Sequence, residues 1–143
     1  MTSSEKNLNA RRVMLIDDTE VDAFISKRML TGSQFASDIM EFNSAKKALE
    51  YLEENSQHPT SLPQFIFLDI NMPAMDGFDF METFRQLPDS VIQNCKVVML
   101  TSAIKEEDIQ RIHKDQHIIK HLIKPLSREQ LHELNAEVNA TFK

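Results

Sequence analysis

Phe65-Ile66-Phe67-Leu68-Asp69-Ile70-Asn71-Met72-Pro73-Ala74-Met75-Asp76-Gly77 is an apolar run that ends in a single carboxylate and then turns through a proline and a glycine. Four consecutive apolar residues bounded by a turn predict a strand buried on both faces. An unpaired carboxylate is costly to bury, so Asp69 is expected at the mouth of the sheet, where partners can reach it. It is the first candidate for chemistry, and its partners must come from the ends of other strands.

The same pattern occurs upstream, where Val13-Met14-Leu15-Ile16 runs into Asp17-Asp18. Ile39-Met40-Glu41-Phe42 reads as a short second strand, and Lys96-Val97-Val98-Met99-Leu100 as a fourth that ends at Thr101-Ser102. A fifth, about His121 to Ile123, ends at Lys124-Pro125. Helical periodicity fills the intervals. Val21, Phe24, Ile25 and Met29 give a buried stripe for a first helix that Gly32 is placed to end. Ser44 is placed to cap a helix whose inward face is Ala45, Ala48, Leu49 and Leu52. The stretch from Asn55 to Pro63 reads as a loop, and Phe80, Phe84 and Leu87 mark a third helix with Pro88 beyond its end. Glu106, Glu107 and Asp108 precede Arg111 and Lys114, an order that complements a helix dipole. Ser127-Arg128-Glu129-Gln130 fits a capping box ahead of a stripe of Leu131, Leu134 and Val138.

Strand and helix thus alternate five times, which implies an α/β fold with a parallel sheet and helices on both faces. Ligands of such open sheets bind beyond the carboxyl ends of the strands. Asp17, Asp18, Asp69, Thr101 and Lys124 all fall at those ends. Three carboxylates in one place repel one another unless a cation intervenes. A hard divalent ion such as Mg2+ takes one or two carboxylates and keeps positions open for phosphoryl oxygens. A metal, a hydroxyl and a lysine around one carboxylate meet the demands of phosphoryl transfer, and the carboxylate can itself be the nucleophile.

Totals bound the alternatives. At 143 residues, 41% hydrophobic and 27% charged, the chain reads as one globular domain, with a polar, patternless tail over residues 1–10 and a folded unit over 11–143. A net charge of −6 argues against nucleic acid as a partner. Cys95 is the only cysteine, so no intramolecular disulfide and no cysteine zinc site is possible. No apolar leader and no membrane-length run is present, so no membrane partner is expected and the cytoplasm is the default location.

Leu15-Ile16-Asp17-Asp18, Leu68 through Gly77, Met99-Leu100-Thr101-Ser102 and Lys124-Pro125 together resemble the receiver (CheY-like) domain of two-component response regulators, from Val13 through the last helix. The resemblance implies a flavodoxin-like (βα)5 three-layer sandwich with strand order 2-1-3-4-5. It implies that Asp69 accepts a phosphoryl group from a histidine kinase or histidine phosphotransfer protein. Asp17, Asp18, Asp69 and the backbone carbonyl of Asn71 would surround Mg2+ (or Mn2+), with Asp17 acting mostly through water. Lys124 would bind a phosphoryl oxygen, Thr101 would move toward it as a switch, and the side chains of Asn71 and Ala103 would tune the lifetime of the group by governing water access. The Lys124-Pro125 bond is often cis in that family. One position departs from it: where the family commonly has Tyr or Phe three residues before the lysine, this chain has His121. That residue either swings as the aromatic does or sits exposed and makes the output surface partly pH-dependent. With no effector domain after residue 143, output is expected through an unknown downstream protein or as an intermediate of a phosphorelay.

Competing readings have specific weaknesses. A flavin-binding carrier of flavodoxin type needs a Ser/Thr/Gly-rich phosphate loop after the first strand, but Asp17-Asp18-Thr19-Glu20 would repel a phosphate without a metal. Two glycines in the whole chain leave no P-loop. A receiver that no longer takes phosphate is opposed by the full set of acids, hydroxyl and lysine. His113, His117 and His121 recur every four residues, but the chain must leave the helix to form the fifth strand, so their alignment is expected to break and no zinc site is expected. Met72 and Met75 are expected to pack beneath the turn that follows Asp69.

Overall fold

The computed structural model describes residues 11–103 and 105–141, so the expected tail over 1–10 lies outside the described residues. Five strands, β1 (Arg12–Ile16), β2 (Asp38–Phe42), β3 (Phe65–Asp69), β4 (Lys96–Thr101) and β5 (Ile118–Ile123), form one sheet in the order β2-β1-β3-β4-β5. Every pairing is parallel. The helices are α1 (Glu20–Gly32), α2 (Ala45–Glu54), α3 (Gly77–Phe84), α4 (Asp89–Asn94), α5 (Glu106–Lys114) and α6 (Arg128–Thr141). This is the flavodoxin-like α/β architecture expected from the sequence.

Successive strand residues point to opposite faces, which explains the unbroken apolar runs. Met14, Ile16, Ile66, Leu68, Val97 and Met99 face one layer, packed by α2, α3, α4 and α5. Val13, Leu15, Phe65, Phe67, Val98 and Leu100 face the other, packed by α1 and α6. Phe67, Leu68 and their neighbours in β3 are fully buried because the strand lies at the centre of the sheet.

Side-chain caps set some of the helix starts. Ser44 accepts a hydrogen bond from the Lys47 amide, and Ala45, Ala48, Leu49 and Leu52 are buried as the stripe predicts. Ser127 and Gln130 close the expected capping box, Gln130 N–H donating to Ser127 Oγ and Ser127 N–H to Gln130 Oε1. Leu131, Leu134 and Val138 are buried beneath it. Met72 is buried and Met75 packs against the same core, as expected of the turn.

The first helix differs from its expectation. Its buried residues are Ala23, Ser26 and Leu30, whereas Val21 and Phe24 are 66% and 60% exposed. The inward face is rotated from the expected stripe: Met29 still packs against the core and Ile25 is half-buried, but Val21 and Phe24 go to solvent. Gly32 is simply its last residue. The left-handed conformation that follows belongs to Gln34, at φ 64°. Two further differences are of extent: β5 begins at Ile118 rather than near His121, and a short helix, α4, follows Pro88. Val91 anchors α4 in the core, a single buried contact that leaves no periodic signal.

Candidate functional site

The site forms where β1, β3, β4 and β5 end together. Asp17, Asp69 and Thr101 are buried at that rim, and Asp18 is exposed beside them. One oxygen from each of Asp17, Asp18 and Asp69 lies within 4.8 Å of the others. Lys124 comes from the segment after β5, its amide donating to the Thr101 carbonyl at 2.8 Å, which ties the end of β5 to the end of β4. The Lys124-Pro125 bond is cis.

Backbone geometry aims these groups. Asp69 is the last residue of β3, and the Ile70 amide still donates to the Leu100 carbonyl at 2.9 Å. The chain then turns through Ala74, at φ 67°, and returns so that the Gly77 amide donates to the Ile70 carbonyl at 2.8 Å. A Cβ on Gly77 would stand 2.9 Å from Ile70 Cα and 3.0 Å from the Asp69 carbonyl oxygen, so the close return admits only glycine without displacement of the backbone. Asp76 and Asp79 cap α3 reciprocally, fixing the far side of the turn. The Asp69 carboxylate accepts from the Asn71 amide at 3.2 Å, and Asp17 from the Thr19 amide at 2.9 Å.

Lys124 is the electrostatic centre of the cluster. Its Nζ lies 2.8 Å from Asp22, 3.1 Å from Asp17 and 3.4 Å from Asp69. Burial works against its charge, but the hydrogen bond to Asp22 and the carboxylates of Asp69 and Asp17 outweigh it and hold the ammonium above the ordinary lysine range. Asp69 moves the other way for a carboxylate. Burial, reinforced by the charge of Asp17, pushes it up to about 6 against the pull of Lys124 and the Asn71 amide. The rim therefore holds more negative charge than its one ammonium balances.

The remaining residues singled out in the sequence are less convergent. Thr101 Oγ donates to the Ala103 carbonyl at 2.6 Å and accepts from the Ala103 amide at 3.2 Å, so its hydroxyl is engaged with its own loop. Asn71 and Ala103 are exposed, each two residues after Asp69 and Thr101 respectively. His121 is half-buried in β5 rather than exposed, opposite Met99 of β4. Burial first, then His113 and Lys120, push its imidazole below the ordinary histidine range.

Asp22 is the partner that the strand-end pattern missed, because it lies inside α1. Its carboxylate reaches the Lys124 ammonium at 2.8 Å across 102 residues of chain, a pairing that no local spacing marks.

Comparison with known proteins follows the same lines. A model of the response regulator receiver domain matches residues 13–135. A response regulator receiver protein from Dyadobacter fermentans shares 32% identity with a TM-score of 0.79, over 90% of this chain and 97% of that one. The probable methanogenesis regulatory protein FilR2 of Methanothrix harundinacea is 29% identical over 119 residues, 83% of this chain and 75% of its own length. The response regulator Rcp1 of Synechocystis is 24% identical over 107 residues, 74% of this chain and 71% of its own. The Mn2+-bound form of Rcp1 has the same fold, with a TM-score of 0.66 at 22% identity over 92% of this chain and 94% of that one. The family match runs from β1 into α6, and the chain therefore belongs to the response regulator receiver domains of two-component systems.

Proposed function

We propose that Asp69 accepts a phosphoryl group from a histidine kinase or histidine phosphotransfer protein in a Mg2+-dependent reaction, and that its phosphorylation switches binding to a downstream protein. The observation that carries this reading is the meeting of Asp17, Asp18 and Asp69 within 4.8 Å, with the Lys124 ammonium 3.4 Å from Asp69.

The donor set fits a hard divalent ion. It is all oxygen, and the like charges that meet there gain from a cation. Asp17, Asp18, Asp69 and the backbone carbonyl of Asn71 are the groups that would hold Mg2+ or Mn2+, which when bound supplies neutralisation of charge on the phosphoryl oxygens. The Mn2+-bound form of the related Rcp1 supports that choice of ion.

With its acidity near pH 6, Asp69 is largely ionised at neutral pH and available as a nucleophile. A carboxylate oxygen forms the new O–P bond as the P–N bond to the donor imidazole breaks. The bond pair leaves with the imidazole nitrogen, which takes up a proton from solvent. Lys124 neutralises the added charge, exchanging its contact with Asp22 for a phosphoryl oxygen. The Thr101 hydroxyl turns from the Ala103 carbonyl toward the same group, and that movement, with a response from His121 on the neighbouring strand, carries the state of Asp69 outward. Asn71 and Ala103 flank the group and govern the approach of water, hence its lifetime.

Intact-mass spectrometry after incubation with Mg2+ and a small phosphodonor is expected to show one added phosphoryl group on the wild-type protein and none on Asp69→Asn. Absence of the added mass from the wild type across several donors would overturn the proposal.

A further inference from the structure

His113, near the end of α5, and His121, within β5, stand side by side, with ring centroids 6.1 Å apart and planes inclined at 52°. The alignment of three histidines expected to break on leaving the helix does break, since His117 lies edge-on to Phe84 instead. The return of the chain into β5 nevertheless brings the outer two together. We infer that His113 and His121 form a two-imidazole site for a late first-row divalent ion such as Zn2+, separate from the carboxylate cluster at Asp69.

Reach supports the site. An ion about 2.0–2.1 Å from a ring nitrogen stands about 3.2 Å from that ring's centre, so two imidazoles sharing one ion have centres at most about 6.4 Å apart. The observed separation of 6.1 Å is inside that limit, at its wide-angle end. Small side-chain rotations close the angle toward tetrahedral, and His113 is free to make them because it is exposed.

Electrostatics support it as well. A metal-binding imidazole must be neutral, and His121 is held below the ordinary histidine range. Lys120, whose charge acts on His121, is paired with Glu137 of α6 at 3.0 Å, so its charge is offset. Asp115, on the same side, is committed to Arg85 and to the His117 amide. A cleft of about 370 Å3, lined in part by His113, Gln116, Lys120 and His121, leaves room for waters to complete the coordination.

Donor chemistry separates the two sites. Imidazole nitrogen favours Zn2+, Ni2+ and Cu2+, whereas carboxylate oxygen suits Mg2+ and Mn2+. An ion on His113 and His121 would pin the end of α5 to β5, the strand that leads to Lys124. The site stands whether or not Asp69 takes a phosphoryl group.

The test is Zn2+ titration of the full chain by calorimetry in excess Mg2+, with the histidine ring signals followed by NMR. Zn2+ is expected to shift the ring signals of His113 and His121 but not of His117. Affinity is expected to fall about tenfold or more in His113→Ala and in His121→Phe, which keeps the ring volume without a nitrogen, and to persist in His117→Phe and Asp18→Asn. His113 is exposed, so the Ala variant tests the site without disturbing the core. Unmoved ring signals, or Zn2+ affinity unchanged in His113→Ala, would overturn the inference.

Discussion

At the carboxyl end of the sheet, the largely buried Lys124 side chain is held by three carboxylates, whereas at the amino end Arg11 is buried and, among the described residues, pairs with none. Arg11 lies 4.6 Å from the ring centre of Phe35 and 5.5 Å from that of Phe65. One guanidinium nitrogen donates to Asn139 at 3.3 Å, and among the described residues Nη1 has no hydrogen-bond partner. Burial accordingly lowers its pKa, while the acids around Lys124 raise that of the lysine. Both cations are largely hidden but do opposite work. Arg11 covers aromatic rings with the flat face of a weakly hydrated ion. Lys124 holds together charges that would otherwise repel. Charge concentrated beyond what packing requires sets the carboxyl end of the sheet apart as the candidate site.

Substitution with an apolar side chain of similar length separates these roles most sharply. Lys124→Met leaves Asp17 and Asp69 buried without their cation, and is expected to lower stability by ~3–5 kcal/mol in metal-free buffer, read by urea denaturation. A loss below about 1 kcal/mol would mean that the lysine does not hold the acids together.

Removing a member of the excess charge has the opposite sign. Asp69→Asn is expected to raise the stability of the metal-free protein at neutral pH by ~1–3 kcal/mol. The folded carboxyl near 6 lies above its ordinary value of 3.8, so the folded state binds that proton more tightly than the unfolded state. The resulting stabilisation is fully present below about pH 4 and is lost as pH rises through about 6. Wild-type melting followed across that window in a chelator is expected to show the loss, and the Asn variant to lack it. A variant that follows the wild-type pH profile would break the comparison.

The smallest effect is expected at the other end. Arg11→Met keeps a long side chain over Phe35 and Phe65 and removes a buried charge that pairs with no carboxylate among the described residues, so its stability should stay within about 1 kcal/mol of wild type. A loss as large as that of Lys124→Met would show that Arg11 is held by more than ring packing.

The legibility of these regions in the sequence also differs. The strand-end acids, Thr101 and Lys124 were readable because burial on both faces makes a strand uniformly apolar, and a polar residue at its end stands out. The caps at Ser44 and Ser127 were readable because one side chain and one amide decide them. On α1, apolar spacing chose Val21 and Phe24, yet Ala23, Ser26 and Leu30 face the sheet. Which face turns inward depends on how the helix sits on the sheet, and spacing carries no information about that placement. Asp22 was overlooked for the same reason: its pairing with Lys124 joins positions that only the packing of α1 beside the end of β5 brings together.

The sequence by itself determined the alternation of strands and helices, the rim at which Asp17, Asp18, Asp69, Thr101 and Lys124 gather, and the close turn at Gly77. All of these follow from local pattern, or from the rule that parallel strands end on one side. Only the tertiary structure decided which partners hold Lys124, how far burial moves Asp69, that Thr101 is turned to Ala103, and that His121 stands beside His113 rather than in solvent. Those outcomes depend on distances of a few ångströms between elements far apart in the chain, where desolvation and Coulomb energy change steeply.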